Sequence, residues 1–328
     1  MKAPGFWWRD GPLPALLSPL AALYGWEAAR RMERPAPRAS VPVICVGNPT
    51  VGGVGKTPLA LALARAAIGM GHRPGFLTRG YGGGGGATRI VAEYDDAGDV
   101  GDEPLLLARV APVAVGADRA TGARLLADAG CDLLIMDDGF QSRRLDPDLA
   151  LLLVDGARGV GNGHVLPAGP LRAPLDAQLA RADALVVVET GRGCEGAAEA
   201  EAAARERGVE VIGARIAPVD GGAFRGRRVV AASGLGDPDR FVAMLTAGGA
   251  EIVARRDFPD HHPFTDADLA DLRALAAKHG AGIVTTSKDA ARLAGRLPHE
   301  VLEIEARLED GAATRLVTGA VARHGTRT

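Results

Sequence analysis

The chain has 328 residues, 47% hydrophobic and 24% charged, which is the balance of a globular protein with a buried core and excludes a disordered or collagen-like chain. That length corresponds to roughly two domains of about 100–200 residues each. A net charge of −2 argues against nucleic-acid binding through a diffuse basic surface, and three dispersed cysteines (Cys45, Cys131, Cys194) form neither a disulfide framework nor a zinc spacing, which fits a reducing compartment.

Aromatic residues make up only 4% of the chain, yet Phe6, Trp7, Trp8, Tyr24 and Trp26 all lie in its first 26 residues, with every tryptophan among them. No charge occurs from Gly11 to Trp26, but the run is shorter than the ~20 apolar residues of a bilayer span. Pro12, Pro14 and Pro19 interrupt it, and Asp10 and Glu27 flank it. The basic charge before it is thin and no small-residue cleavage site follows, unlike a signal peptide. Six basic residues (Lys2, Arg9, Arg30, Arg31, Arg34, Arg38) face three acidic ones in residues 1–38. Tryptophan favours the headgroup boundary and arginine is drawn to anionic lipid, so 1–38 reads as a peripheral membrane-docking segment. The alternative is an arm that packs its aromatics on the protein's own core.

From residue 41 the pattern alternates between strand and helix. VPVICV (41–46) is a buried-strand run, and a glycine-rich loop and a helix from Thr57 to about Met70 follow it. Further strands are expected at 74–78, 88–93, 112–116, 132–137, 149–154, 184–189 and 209–216, with helices near 103–110, 118–129, 174–181 and 195–207. A second series follows the glycine turn near 221: strand 228–232, helix 237–247, strand 250–256, helix 265–279, strand 282–286 and helix 288–295. Thr265 with Asp268 suits a capping arrangement, and Gly280 a helix stop. Alternation of this kind predicts parallel sheets with right-handed crossovers. The expected fold is α/β, with a larger domain at 39–222 and a smaller one at 223–328.

TVGGVGKT (Thr50, Val51, Gly52, Gly53, Val54, Gly55, Lys56, Thr57) lies between the first strand and its helix. There the glycines let backbone N–H groups converge on phosphate oxygens at a helix N-terminus. Lys56 is placed to reach the β- and γ-phosphates, and Thr57 to offer a hydroxyl to Mg²⁺. Position 50 is threonine where the common pattern has glycine. Val51 occupies the place of the lysine that dimer-switching ATPases carry, which weighs against that class.

CDLLIMDDGFQ (131–141) ends an apolar strand in Asp137 and Asp138, where a carboxylate can hold Mg²⁺ or one of its waters; a turn before Gly139 is the alternative, and two adjacent acids in a chain with a phosphate loop favour the metal. GDEP (101–104) opens a helix, and Asp102 is either an acid favoured at a helix N-terminus or the base that accepts a hydroxyl proton. FPDHHPFT (258–265) holds His261 and His262 and also fits a solvated loop. Lys288, in TTSKDAARL (285–293), suits a phosphate contact or a local cap. RGYGGGGG (79–86), with Arg79 and Tyr81, permits close substrate approach or simple linkage.

Taken in order, GNPTVGGVGKTP (47–58), TRGYGG (78–83), VGDEPLLLA (100–108), VAVGADR (113–119), MDDGFQ (136–141), GNGHVLPAGPLRAP (161–174), SGLGDPDRF (233–241), FPDHHPFT and TTSKDA (285–290) resemble the tetraacyldisaccharide 4′-kinase family, the lipid A 4′-kinases. The resemblance implies a P-loop NTPase-type parallel sheet with helices on both faces. It implies transfer of the ATP γ-phosphate to the 4′-hydroxyl of a tetraacylated glucosamine disaccharide 1-phosphate, giving lipid IVA, at the cytoplasmic face of a Gram-negative inner membrane. Motif by motif, Lys56 and Thr57 take the nucleotide roles, and Asp137 and Asp138 the Mg²⁺ pair, with Asp138 preferred as the closer. Asp102 takes the role of base and His261 that of its partner. Arg79, Arg119 and Gln141 are weaker candidates for acceptor or phosphate contacts.

Overall fold

The computed structural model describes residues 4–9, 11–293 and 295–327; Lys2 and Asp10, counted above among the N-terminal charges, lie outside them. A 3₁₀ turn at Gly5–Trp8 precedes α1 (Pro12–Met32), a helix running through the segment the prolines were expected to interrupt. Pro12 sits at the first helical position, where a missing N–H costs nothing. Pro19 withholds the N–H that the Ala15 carbonyl would accept, and the Ser18 hydroxyl donates to that carbonyl at 2.8 Å instead. Pro14, Ala21, Gly25 and Met32 bury one face of α1, while Leu16 (76% exposed), Leu20 (60%), Leu23 (65%) and Trp26 (63%) face outward. No helix among the described residues is long and apolar enough to cross a membrane.

The larger unit runs β1 (Val43–Gly47), α2 (Lys56–Gly69), β2 (Pro74–Thr78), β3 (Arg89–Ile90), α3 (Ala97–Val100), α4 (Asp102–Ala108), β4 (Val113–Val115), α5 (Arg119–Asp128), β5 (Leu133–Asp137), β6 (Leu149–Asp155), α6 (Leu175–Leu179), β7 (Ala184–Glu189), α7 (Ala198–Glu206) and β8 (Glu210–Pro218). The smaller unit follows with β9 (Arg228–Ser233), α8 (Pro238–Ala247), β10 (Glu251–Asp257), α9 (Asp266–His279), β11 (Gly282–Thr286), α10 (Ser287–Leu293) and β12 (Glu300–Leu302), and β13 (Ile304–Leu308) and α11 (Ala312–Arg327) close the chain. The Thr265–Asp268 capping box and a left-handed Gly280 bound α9 as the sequence suggests.

The strands form a nine-stranded sheet in the order β13-β8-β7-β6-β1-β5-β2-β4-β3 and a four-stranded sheet in the order β10-β9-β11-β12. Pairing is parallel except for β13 on β8 and β3 on β4. Buried side chains cover both faces of the large sheet: Leu59 and Leu63 of α2 with Val317 of α11 on one, Met32 of α1 with Leu126 of α5 on the other. Truncating a fully buried leucine such as Leu63 costs about 2–5 kcal/mol.

The last two elements depart from the expected division at 222. β13 pairs with β8, with Ala306 opposite Ile216, and α11 packs on α2, so residues 304–327 complete the larger unit. IEARL is too short and too charged to announce a strand, and glycine and threonine dilute the helical pattern of α11. The return covers an edge of β8 that would otherwise be unpaired. β1 is central and the chain winds away from it in both directions, so the loop after β1 opens at the switch point where α/β sheets bind ligands.

Candidate active site

The phosphate loop leaves β1 and enters α2 through Gly55, whose φ of 96° lies in the left-handed region. A β-carbon there would also stand 3.0 Å from Ile216 Cδ1, so glycine is required on two counts. Lys56 Nζ donates to Asn48 Oδ1 at 3.0 Å and lies 3.7 Å from Asp138 Oδ1. The loop is braced by the segment before α6. The Val51 amide donates to the Pro170 carbonyl at 2.9 Å, and the Arg172 amide to the Pro49 carbonyl at 2.8 Å. Arg172 also donates from Nε to the Thr50 carbonyl at 3.1 Å and from Nη1 to Asp138 Oδ1 at 2.9 Å. One guanidinium therefore fixes both the loop and the acidic strand end. Arg172→Ala is expected to weaken ATP binding about tenfold or more, in line with one charge-assisted hydrogen bond, measured by titration calorimetry.

Thr57 Oγ1 donates to Asp137 Oδ2 at 3.1 Å. Asp137 is 2% exposed, and its Oδ1 is buried with no hydrogen-bond partner among the described residues. Burial pushes this carboxyl above the ordinary range, and the Glu103 carboxylate adds to the push while Lys56 opposes it. Desolvation raises Asp138 too, but Lys56 and Arg172 outweigh it and hold that carboxyl low. A buried anion beside a threonine hydroxyl, with an oxygen left over, fits a hard cation. The buried oxygen without a partner belongs to Asp137, while Asp138, preferred from the sequence as the closer group, engages Arg172 and Lys56 through Oδ1 and is 41% exposed at its side chain. Among the described residues no group of three or more His, Cys, Asp or Glu could hold a metal ion. Thr57 and Asp137 therefore suit a Mg²⁺ that also takes phosphate oxygens and water.

A second cluster joins the two sheets where α10 packs on α4. Asp102, first residue of α4 and 2% exposed, has its Oδ1 3.1 Å from His261 Nδ1 and accepts from Arg292 Nη2 at Oδ2, 2.7 Å away. Burial raises Asp102, but His261 and Arg292 hold its carboxyl far below the usual range. The Asp102 contact raises the proton affinity of His261 above its ordinary value, against a smaller desolvation cost. Lys288 Nζ pairs with Glu103 Oε1. Gly101 holds α4 close to the glycine-rich loop: its φ is 89° and a β-carbon would stand 2.6 Å from the Tyr81 carbonyl. Tyr81 lies over His261 with ring centroids 5.4 Å apart. Asp138 (φ 56°) and His261 (φ 58°) are the non-glycine residues with positive φ among those described, so backbone strain gathers at this site.

The remaining candidates separate. His262 turns away from its neighbour: Nε2 meets Asp268 Oδ2 at 2.9 Å and the ring stacks on Phe258. Gln141 donates to the Asn48 carbonyl at 2.9 Å and to Gln178 Oε1 at 2.8 Å, beneath the phosphate loop. Arg119 is 5% exposed and donates to the Gly116 carbonyl, while Arg79 is exposed after β2. Val51 is 38% exposed at the loop tip. Asn48, Glu103, Arg172 and Arg292 were not singled out from the sequence. The two arginines are inconspicuous among 34, although Arg172 falls inside GNGHVLPAGPLRAP and Arg292 inside TTSKDAARL.

A central parallel strand leading into a lysine-bearing phosphate loop, with an acidic strand end alongside, defines a P-loop nucleotide-binding enzyme. The model of the family "Tetraacyldisaccharide-1-P 4′-kinase" matches residues 13–321. A tetraacyldisaccharide 4′-kinase of Methylobacterium nodulans is 49% identical over 321 residues, covering 96% of this chain and 94% of its own. One of Paramagnetospirillum magneticum is 47% identical over 330 residues, covering both chains in full. The crystal structure of LpxK from Aquifex aeolicus, an "apo" form in complex with ATP, superposes with a TM-score of 0.74 at 29% identity, covering 94% of this chain and all of that one. The chain belongs to the tetraacyldisaccharide-1-P 4′-kinase family.

Proposed function

We propose that the protein transfers the γ-phosphate of ATP to the 4′-hydroxyl of a tetraacylated glucosamine disaccharide 1-phosphate, forming lipid IVA at the cytoplasmic face of the inner membrane. The observation that carries this reading is that α4, which begins with Asp102 of the Asp102–His261 pair, packs on α2, which carries Lys56 and Thr57 of the phosphate loop, and on α10. The decisive experiment incubates the protein with γ-labelled ATP and the tetraacyl acceptor beside an acceptor-free control. Label in the glycolipid is the expected result, and phosphate release of equal extent in both tubes would overturn the kinase reading.

In this reading the phosphate-loop amides and Lys56 hold the triphosphate, with Lys56 neutralising charge that develops on the transferred group. Thr57 and Asp137 would hold Mg²⁺, which when bound supplies further charge neutralisation and orients the phosphates. The Asp102–His261 pair takes the hydroxyl proton as a unit. A buried carboxylate with both oxygens engaged is a weak base alone, and the imidazole bonded to it supplies proton affinity nearer neutrality. This shares a role that the sequence reading gave to Asp102, with His261 as helper.

The outward leucines of α1 fit docking to a lipid surface. Phe6, Trp7 and Trp8 are engaged differently: Trp7 Nε1 donates to the Pro167 carbonyl at 3.1 Å, and Arg158 lies over the Trp8 ring. The arm therefore combines both sequence-level readings, with its first aromatics on the protein and the α1 leucines outward. Each leucine inserted contributes about 1.5–3 kcal/mol. Replacing Leu16, Leu20 and Leu23 together by glutamate is expected to abolish cosedimentation with anionic phospholipid vesicles while ATP affinity stays unchanged. Undiminished cosedimentation would remove this role from the stripe.

A further inference from the structure

The Asp102–His261 pair rests on a chain of contacts that begins in the smaller sheet. Asp289 of α10 is fully buried; its Oδ2 accepts from the Gly234 amide at 2.9 Å, past the end of β9, and from Thr286 Oγ1 at 2.7 Å, at the end of β11. Its Oδ1 lies 3.5 Å from Arg292 Nη1. The same Nη1 donates to the His262 carbonyl at 3.1 Å, while Nη2 donates to Asp102 Oδ2 at 2.7 Å. The Arg292 side chain is only 11% exposed. One planar group thus connects the buried carboxyl group of Asp289 on α10, the backbone of the histidine loop and the carboxylate at the start of α4.

We propose that Arg292 is a positioning residue for phosphoryl transfer: it fixes Asp102 so that Oδ1 faces His261, and it clamps the loop that presents His261. The inference rests on the proposal that the Asp102–His261 pair accepts the hydroxyl proton. Two fixed N–H directions are needed, one for a carboxylate and one for a carbonyl, and a guanidinium supplies them in one plane where an ammonium is a point charge. Without it the carboxylate is free to turn about its own bond and the histidine loop loses a tether. The charged groups around Asp102 are Arg292, Lys288 and Asp289 from α10, Glu103 from α4, and His261 and Asp260 from the histidine loop. Arg292 opposes protonation of Asp102. Its removal makes Asp102 easier to protonate and leaves more negative charge facing the imidazole, so the acid limb of the rate profile moves to higher pH.

The experiment compares Arg292→Gln, Arg292→Lys, Asp102→Asn and the double variant Arg292→Gln/Asp102→Asn in acceptor phosphorylation at saturating ATP. For Arg292→Gln, kcat is expected to fall about 10- to 100-fold, the scale of a misplaced reacting group. KM for ATP should stay within about twofold and the acid limb should rise. Lysine should restore part of kcat, and the double variant should be no slower than Asp102→Asn alone. Full kcat with an unmoved acid limb in Arg292→Gln, or losses that multiply in the double variant, would overturn the positioning role. Should the glutamine variant be too unstable to assay, full kcat with an unshifted limb in Arg292→Lys overturns it equally. Near-normal turnover in Asp102→Asn sinks the proton-acceptor reading instead, so the two failures are distinguishable.

Discussion

Lys56→Ala is expected to lower kcat for acceptor phosphorylation by about 100- to 1,000-fold, the usual cost of removing one preorganised group that meets transition-state charge. Lys56 lies at the start of α2, where its ammonium is held by Asn48 and stands near Asp138. ATP affinity should fall less than kcat, because the loop amides and the α2 N-terminus still face the phosphates. Lys56→Arg should not restore activity fully, since a planar guanidinium does not reproduce the compact point charge of an ammonium. The measurement is steady-state kinetics with separate determination of ATP affinity. Retention of both normal affinity and normal turnover would refute the assignment of the phosphate loop.

Asp102→Asn is expected to cost about 100- to 10,000-fold in kcat, the range for loss of a general base. The substitution keeps size and one acceptor oxygen, so the contacts to His261 and Arg292 can partly persist and folding should be preserved. Asparagine cannot carry the charge that raises the proton affinity of His261, and the histidine reverts toward its ordinary value. His261→Gln should produce a loss of similar order. Because the unprotonated pair does the work, wild-type turnover should fall on the acid side as the imidazole takes a proton. In Asp102→Asn the residual activity should have its acid limb shifted to lower pH, opposite in sign to the shift expected of Arg292→Gln. A pH–rate series on the three proteins reads both signs.

Much of the larger unit was legible because its signals are local. The apolar runs of β1 and β5 announce themselves, and a glycine–lysine loop between strand and helix has one dominant physical use. Asp102 and His261 could each be read only as alternatives, since a carboxylate at a helix start and a histidine in a loop have ordinary explanations. What makes them a pair is a contact across 159 positions of sequence, which no spacing pattern encodes. The same holds for Arg292, which touches Asp102 across 190 positions. Helix α1 was missed because prolines were weighed as breakers, whereas Pro12 costs nothing at the first turn and Ser18 compensates for Pro19. Spacing alone leaves Asp102 and His261 unpaired and only the family resemblance joined them, whereas Arg292, which that resemblance did not name, emerges with the contact between the units.

The return of β13 and α11 to the larger sheet has a consequence for biosynthesis. A chain emerging from the ribosome presents the phosphate loop and α2 early, but Val317 and Leu316 of α11, which complete the apolar cluster containing Leu59 and Leu63, arrive last. The nucleotide-binding sheet therefore keeps its α2 face uncovered until α11 has been made. A ribosome that stops after β12 yields a chain holding every proposed chemical group and lacking part of the core beneath them.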